Sequence, residues 1–325
     1  MDKLSILRRP VEAELARYKE LFQAALSHED DYLGQALDYV RRREGKMMRP
    51  LLVVLIAREY GEVKEESLLS AVTLELLHTA SLVHDDVVDE SGQRRGQRSV
   101  NAVFDNKVAV LVGDYLLSVS LMQSAHTGNI QVVEIISQLG ATLSKGEVDQ
   151  LANIRKEEIS ETAYFQIIKH KTAALFAACA QLGALSAGDS PEAVERARKF
   201  GEIIGLCFQI RDDIFDYYKE SAIGKPTFND MSEGKLTLPA IYAVTHTRRE
   251  DVIGWARKVK SGVATYEEME ALVNYTKQSG GMEYAEQYMM RLHDEAVELL
   301  ENHWHNPEVK TALRGYIDFV VERDM

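Results

Sequence analysis

Residues 74–90 read LELLHTASLVHDDVVDE, leucines at helical spacing that run without a break into Asp85, Asp86 and Asp89. Carboxylates three and four residues apart share one face of a helix, where like charges repel and weaken it. A helix that accepts this cost has a use for concentrated negative charge, and a cation offsets it. A second stretch has the same design. GLCFQIRDDIFDYY (205–218) is again an apolar run that ends in D-D-x-x-D, at Asp212, Asp213 and Asp216. One such pattern is well explained as a solvated helix face. Two, each closing an apolar helix, are expected by chance in roughly a few chains per thousand at ordinary aspartate usage.

Working outward, helical periodicity continues along the chain. Residues 11–27, 31–43, 50–60, 66–89, 100–126, 129–145, 158–187, 191–220, 236–247, 249–260, 266–278, 282–302 and 307–322 carry amphipathic or buried-helix patterns. None of the 6 prolines falls between Pro50 and Pro191, which favours long uninterrupted helices. The breaks are short: a Gly-rich basic loop, SGQRRGQRS (91–99), a turn at 126–129, and AGDSPE (187–192), with its glycine, N-cap and proline signals. One long polar connection, 220–239, stands out, and such connections are often functional. No linker, repeat, low-complexity run or alternating strand pair is evident. The fold class expected is all-α, one large helical bundle forming a single domain over residues 1–325, although length alone would suggest two.

Composition narrows the chemistry. The chain is 46% hydrophobic and 27% charged, with a net charge of −13. This balance argues against nucleic-acid binding, which needs a basic footprint. Cys179 and Cys207 lie in apolar runs and read as core residues of a reducing compartment. The N-terminus has no apolar signal region, and no stretch reads as the roughly 20 apolar residues that cross a bilayer. The expected location is cytoplasmic.

Six carboxylates form a hard, oxygen-rich ligand set, and no C-x-x-C or H-E-x-x-H spacing favours zinc. Mg²⁺ fits, because it is held by a few carboxylates together with waters and substrate phosphates. A phosphate substrate needs cations in an acidic protein, and these sit in the breaks: Lys46, Arg49, Arg94, Arg95, Lys171, Lys225 and Lys235. Singly, each reads as a surface charge. Their shared position beside helix ends and glycines suits phosphate, which guanidinium binds through paired hydrogen bonds. His78 lies two turns before Asp85, near the same face. Alone, it reads as a core histidine.

Taken together, GKMMRP (45–50), HTASLVHDDVVDE, RRG (94–96), GD (113–114), KT (171–172), FQIRDDIFD (208–216) and GKLTLP (234–239) resemble the trans-isoprenyl diphosphate synthases, or polyprenyl synthetases, over nearly the whole chain. The resemblance implies a helical bundle around a deep central cavity, usually a homodimer, that binds an allylic diphosphate and isopentenyl diphosphate. It implies Asp85, Asp89 and Asp212 as Mg²⁺ ligands, supported by Asp86, Asp213 and Asp216. It also implies Arg94, Lys171 and Lys235 on the allylic diphosphate, and Lys46, Arg49, His78 and Arg95 on isopentenyl diphosphate. Thr172 and Gln209 match polar groups beside the reacting carbons. In this chemistry the allylic C–O bond ionises, the isopentenyl double bond attacks, and proton loss leaves a diphosphate one five-carbon unit longer. The departures from the family pattern are Glu44 and Met47 before the Arg-Pro, and Phe228 where glycine is common.

Product length depends on what lies below the aspartates. Ala80 and Ser81, one to two turns before Asp85, are small, where family members with short products carry aromatics. Leu77 and Leu74 lie roughly 12 and 16 Å below Asp85 at 1.5 Å per residue, as tunnel lining or as ordinary core. The expected product is a long-chain all-trans polyprenyl diphosphate of the quinone side-chain type, centred on octaprenyl, from a farnesyl primer. The alternatives are a farnesyl or geranylgeranyl synthase, a terpene cyclase, or a non-catalytic synthase subunit. No basic amphipathic anchor is present, so membrane contact is expected to be transient at most.

Overall fold

Helix α5 (Glu65–Val88) carries the leucine run to the first cluster, with Asp89 as its C-cap. Leu74, Leu76 and Leu77 are buried along it. The computed structural model describes residues 3–28, 31–42, 45–94, 96–218 and 228–322. Before α5 come α1 (Lys3–Arg8), α2 (Glu12–Ala25), α3 (Tyr32–Arg41) and α4 (Met48–Tyr60). After it come strands β1 (Gln93–Arg94) and β2 (Gln97–Arg98), then α6 (Val100–Phe104), α7 (Asn106–His126) and α8 (Ile130–Ile154). The chain continues with α9 (Glu161–Ile168), α10 (Ala174–Ala187), α11 (Pro191–Asp216), α12 (Asn229–Ser232) and α13 (Leu238–Thr245). It closes with α14 (Glu250–Lys260), α15 (Tyr266–Gln278), α16 (Gly281–His303) and α17 (Pro307–Glu322). The all-α expectation holds.

The differences from the sequence reading have local causes. The helix expected over 100–126 breaks at Asp105, whose φ is 88° and whose carboxylate accepts the N–H groups of Lys107 and Val108 to cap α7. The helix expected over 158–187 is interrupted by a π turn, Lys169–Ala173, which an unbroken apolar period does not reveal. The segment expected to end at 145 runs on to Ile154, and the second aspartate helix ends at Asp216, not at 220. The 91–99 loop holds an antiparallel pair, Gln93 opposite Arg98 and Arg94 opposite Gln97. Strands of two residues are too short to show alternation.

Helix α7 corrects the reading of membrane segments, since by length and composition its 21 residues are apolar enough to cross a bilayer. In α7 the apolar positions divide between two faces. Ala109, Val112, Leu116 and Val119 are buried, whereas Val110, Leu111, Leu121 and Met122 are exposed.

Packing groups the chain into two units. The first comprises residues 1–141, 175–201 and 303–315. In it α5 packs along α7, α4 and α2. Phe200 and Trp304, both fully buried, meet with ring centroids 4.9 Å apart. A Cβ on Gly201 would stand 2.3 Å from the Phe176 carbonyl oxygen and 2.9 Å from the Ala180 Cβ. Helix backbones meet here and cannot swing aside as a side-chain tip can. Gly201→Val is therefore expected to destabilise the protein by about 3 kcal/mol or more. Urea denaturation checks this, and an unchanged midpoint would contradict it.

The second unit comprises residues 142–174, 202–302 and 316–325. Its core joins α13, α14 and α15, with α9 against α13. Tyr242 stacks on Tyr284 at 4.2 Å and Phe165 on Tyr288 at 4.6 Å between ring centroids.

Candidate active site

Each unit carries one aspartate cluster beside a cavity. In the first unit, Asp85 is half-buried in the last turn of α5 and Asp89 is exposed as its cap. Asp86, 1% exposed, accepts a hydrogen bond from Arg94 Nε at 2.6 Å. Its backbone oxygen is held by Ser91 N–H at 2.8 Å and Asn101 Nδ2 at 3.2 Å. The β1–β2 hairpin thus returns against the end of α5, and that return places Arg94.

Asp86, Arg94 and His78 line a cavity of about 300 Å³ with Lys19, Arg41 and Arg42. Guanidinium and ammonium groups outnumber its two carboxylates, Glu75 and Asp86, so it suits an anion. Lys46 and Arg49 are not among its lining residues. Lys46 is exposed, and its carbonyl accepts from Arg8 at 2.7 Å. The Arg49 guanidinium lies over the Phe176 ring, 5.3 Å from its centroid. Lys19, Arg41 and Arg42 were not legible as site residues, because only the fold brings α2 and the end of α3 to this cavity. Arg95, Lys225 and Glu44 lie outside the described residues.

The GD pair also finds its reason in this unit. A Cβ at position 113 would stand 2.2 Å from His84 Nε2, and the same nitrogen lies 3.1 Å from the Val110 carbonyl oxygen. Glycine there lets the ring pack between α5 and α7. Leu74, Leu77 and Ala80 are buried and Ser81 is half-buried, its hydroxyl donating to the His78 carbonyl at 2.8 Å.

In the second unit the cluster is built on a relay. Thr172 Oγ1 donates to Gln209 Oε1 at 2.6 Å, Gln209 Nε2 to Asp213 Oδ1 at 2.8 Å, and Tyr164 Oη to Asp213 Oδ2 at 2.5 Å. The π turn matters here, since it presents Lys171 and Thr172 in sequence beside α11. Such turns recur at functional sites. Burial pushes the Asp213 carboxyl well above the usual carboxylate range, and the Asp230 charge adds to this, while the bonds from Tyr164 and Gln209 oppose it. Burial and the neighbouring Asp213 likewise push the Tyr164 phenol up. Asp216 is buried and accepts the Asp230 N–H at 3.0 Å, and Asp212 is half-buried.

Lys171 pairs with Glu147 at 2.6 Å and Lys235 with Glu233. Both lysines line a cavity of about 170 Å³ with Thr172, Gln209, Asp213 and Tyr164. Tyr164, Glu147 and Asp230 escaped the sequence reading because none belongs to a short motif. Phe228 departs from the family pattern at a backbone position that explains the usual glycine, with φ 47°. Its buried ring, 5.3 Å from that of Tyr266, holds the conformation. Met47 has φ 51° for its part, directly before α4.

Among the described residues no group of three or more His, Cys, Asp or Glu side chains is preassembled around a metal position. The donor set nonetheless fits a hard divalent cation. The donors are carboxylate oxygens, and one of them is held in an unfavourable charge environment that a cation would relieve.

Comparison with known proteins agrees. The polyprenyl synthetase family model matches residues 30–276. The heptaprenyl diphosphate synthase component 2 of Geobacillus stearothermophilus is 35% identical over 99% of both chains. Among solved structures, the geranylgeranyl pyrophosphate synthase of Bacteroides thetaiotaomicron is 46% identical, covering 99% of this chain and 100% of that one, with a TM-score of 0.87. The polyprenyl synthase of Caulobacter crescentus, complexed with calcium and isoprenyl diphosphate, is 30% identical over 99% and 98% of the two chains, with a TM-score of 0.91. Two D-D-x-x-D helices, the hairpin arginine and the K-T turn stand within the span of that family model, and the chain belongs to the polyprenyl synthetase family of prenyltransferases.

Proposed function

We propose that the protein is a Mg²⁺-dependent synthase that condenses an allylic diphosphate, with farnesyl diphosphate as primer, with successive isopentenyl diphosphate units. The product is a long-chain all-trans polyprenyl diphosphate for quinone side chains. The observation that carries this reading is the repeated design of the two units: an aspartate cluster ending a core helix beside a cavity lined by basic side chains. Bound Mg²⁺ would neutralise charge that develops on the departing diphosphate. Asp85, Asp89 and Asp212 would hold it, and Arg94, Lys171 and Lys235 would bind the diphosphate oxygens. Thr172 and Gln209, fixed by the relay to Asp213, would orient polar atoms toward the reacting carbons. The calcium and isoprenyl diphosphate of the Caulobacter crescentus protein support a divalent metal and a diphosphate substrate.

Small side chains at Ala80 and Ser81, and the likeness to a heptaprenyl synthase component, support a long product. The likeness to a geranylgeranyl synthase favours a shorter one. Incubation with Mg²⁺, farnesyl diphosphate and radiolabelled isopentenyl diphosphate, followed by sizing of the dephosphorylated products, separates the two. The long-chain reading expects a ladder well beyond twenty carbons that Ala80→Phe shortens by several units. A wild-type stop at twenty carbons would overturn it.

The two units read as parts of one polyprenyl synthetase domain, because the family model runs through both. The exposed face of α7 fits a second copy of the chain. Leu111 at 65% and Met122 at 54% exposure, with Val110 and Leu121, stand about three turns apart on one face of an otherwise core helix, a pattern that marks an interaction site. A homodimer is expected by light scattering, and Leu111→Glu should convert it to monomer. The free, buried Cys179 and Cys207 are in keeping with a cytoplasmic enzyme, one whose contact with the membrane that receives its product is transient.

A further inference from the structure

We propose that Lys260 is a further diphosphate-binding residue, a third lysine beside Lys171 and Lys235 in the cavity of the second unit; the inference rests on the prenyltransferase reading above. Lys260 is the last residue of α14, outside every motif that marks the family in this sequence. It is only 7% exposed, and it lines the same cavity as the other two lysines. Lysine is almost never buried to this extent without a compensating partner.

The partners of the three lysines differ. Lys171 is neutralised by Glu147 and Lys235 by Glu233. Lys260 donates to the backbone carbonyl of Glu158, and among the described residues no carboxylate lies within ion-pair distance of it. An ammonium has three N–H donors and no acceptor. One donor holds the segment before α9, and two remain for a ligand of opposite charge. Burial lowers the Lys260 pKa, the Glu158 charge partly opposes this, and nearby Lys156 lowers it further; a bound anion would offset the lowering.

The position is built in. A Cβ on Gly234 would meet Ile154 Cγ2 at 3.1 Å, the Val259 carbonyl oxygen at 3.4 Å and that of Lys260 at 3.5 Å. The loop that carries Lys235 is therefore seated on the end of α14, and this seating makes Lys235 and Lys260 neighbours at one cavity wall. A purely structural lysine would satisfy the Glu158 carbonyl equally well in a solvated position. This one brings an ammonium with no carboxylate at ion-pair distance among the described residues into a cavity whose other lysines are already paired. The diphosphate could arrive on the allylic substrate or as the released product.

The test compares Lys260→Met, Lys260→Arg and Lys171→Met with the wild type in the full-length protein with Mg²⁺. Calorimetry measures inorganic pyrophosphate binding, and steady-state kinetics give KM for the allylic diphosphate and kcat. Lys260→Met is expected to weaken pyrophosphate binding about tenfold, while Lys260→Arg stays within about threefold. A matching rise in KM assigns the contact to the substrate diphosphate, and an unchanged KM assigns it to the released product. Should Lys260→Met fail to fold, Lys260→Gln keeps a donor for the Glu158 carbonyl without the charge and carries the same expectation. Wild-type pyrophosphate binding in Lys260→Met, with weakened binding in Lys171→Met, would overturn the proposal alone. Unchanged binding in both would overturn the diphosphate reading of this cavity and the proposal with it.

Discussion

Asp85→Ala is expected to lower turnover by about a thousandfold or more, and Asp212→Ala by a similar factor, with EDTA acting on the wild type as severely as either. The expectation follows from the proposed ligand roles of these two residues, and the other aspartates serve a structural role as well. Asp86 is tied to Arg94. Asp213 accepts from Tyr164 on one oxygen and from Gln209 on the other, and Asp216 accepts the Asp230 N–H. These three are anchored by protein donors. In the proposed assignment Asp85 and Asp89 in one cluster and Asp212 in the other hold the cation. Asp213→Asn should be milder, about tenfold, because it disturbs the relay to Thr172 without removing a proposed ligand. Radiolabel incorporation, with folding verified by circular dichroism, gives the measurement. Near wild-type turnover in Asp85→Ala would remove the basis of the metal assignment.

Arg94→Leu is expected to act on stability and on activity together. Asp86 is 1% exposed, and losing one partner of a buried ion pair strands the other charge. The Arg94 side chain is 32% exposed, so the penalty is screened and falls to about 2 kcal/mol instead of the full buried-pair value. The effect on the diphosphate is separate. Nε is engaged by Asp86, and among the described residues the Nη edge of the fork forms no hydrogen bond. That edge suits paired contacts to phosphate oxygens. Arg94→Lys should recover much of the stability but little of the substrate affinity, since a point charge cannot hold Asp86 and a diphosphate in one plane. Urea denaturation with KM measurements separates the two effects. The double variant Arg94→Leu with Asp86→Asn should be more stable than Arg94→Leu alone. If it is not, the ion pair contributes nothing to the fold.

The sequence by itself determined the helical class and the family. Apolar period, proline spacing and two D-D-x-x-D patterns are local signals, and each survives in the structure: α5 and α11 end at their aspartates. Position beside helix ends and glycines singled out Arg94 and Lys171, and the family resemblance implied Thr172 and Gln209. Where local chemistry competed with period, the sequence was less legible. A side-chain cap at Asp105 split one expected helix, and a π turn that redirects a single backbone hydrogen-bond register divided another. Only tertiary structure decided the rest. The relay through Tyr164 joins residues 49 apart. Lys19 and Arg42 reach the first cavity because α2 and the end of α3 fold back to it, and Lys260 reaches the second because the Gly234 loop seats on α14. The physical reason is range. Periodicity and capping act over one or two helical turns, whereas a cavity wall is made by elements whose meeting no short stretch of chain encodes.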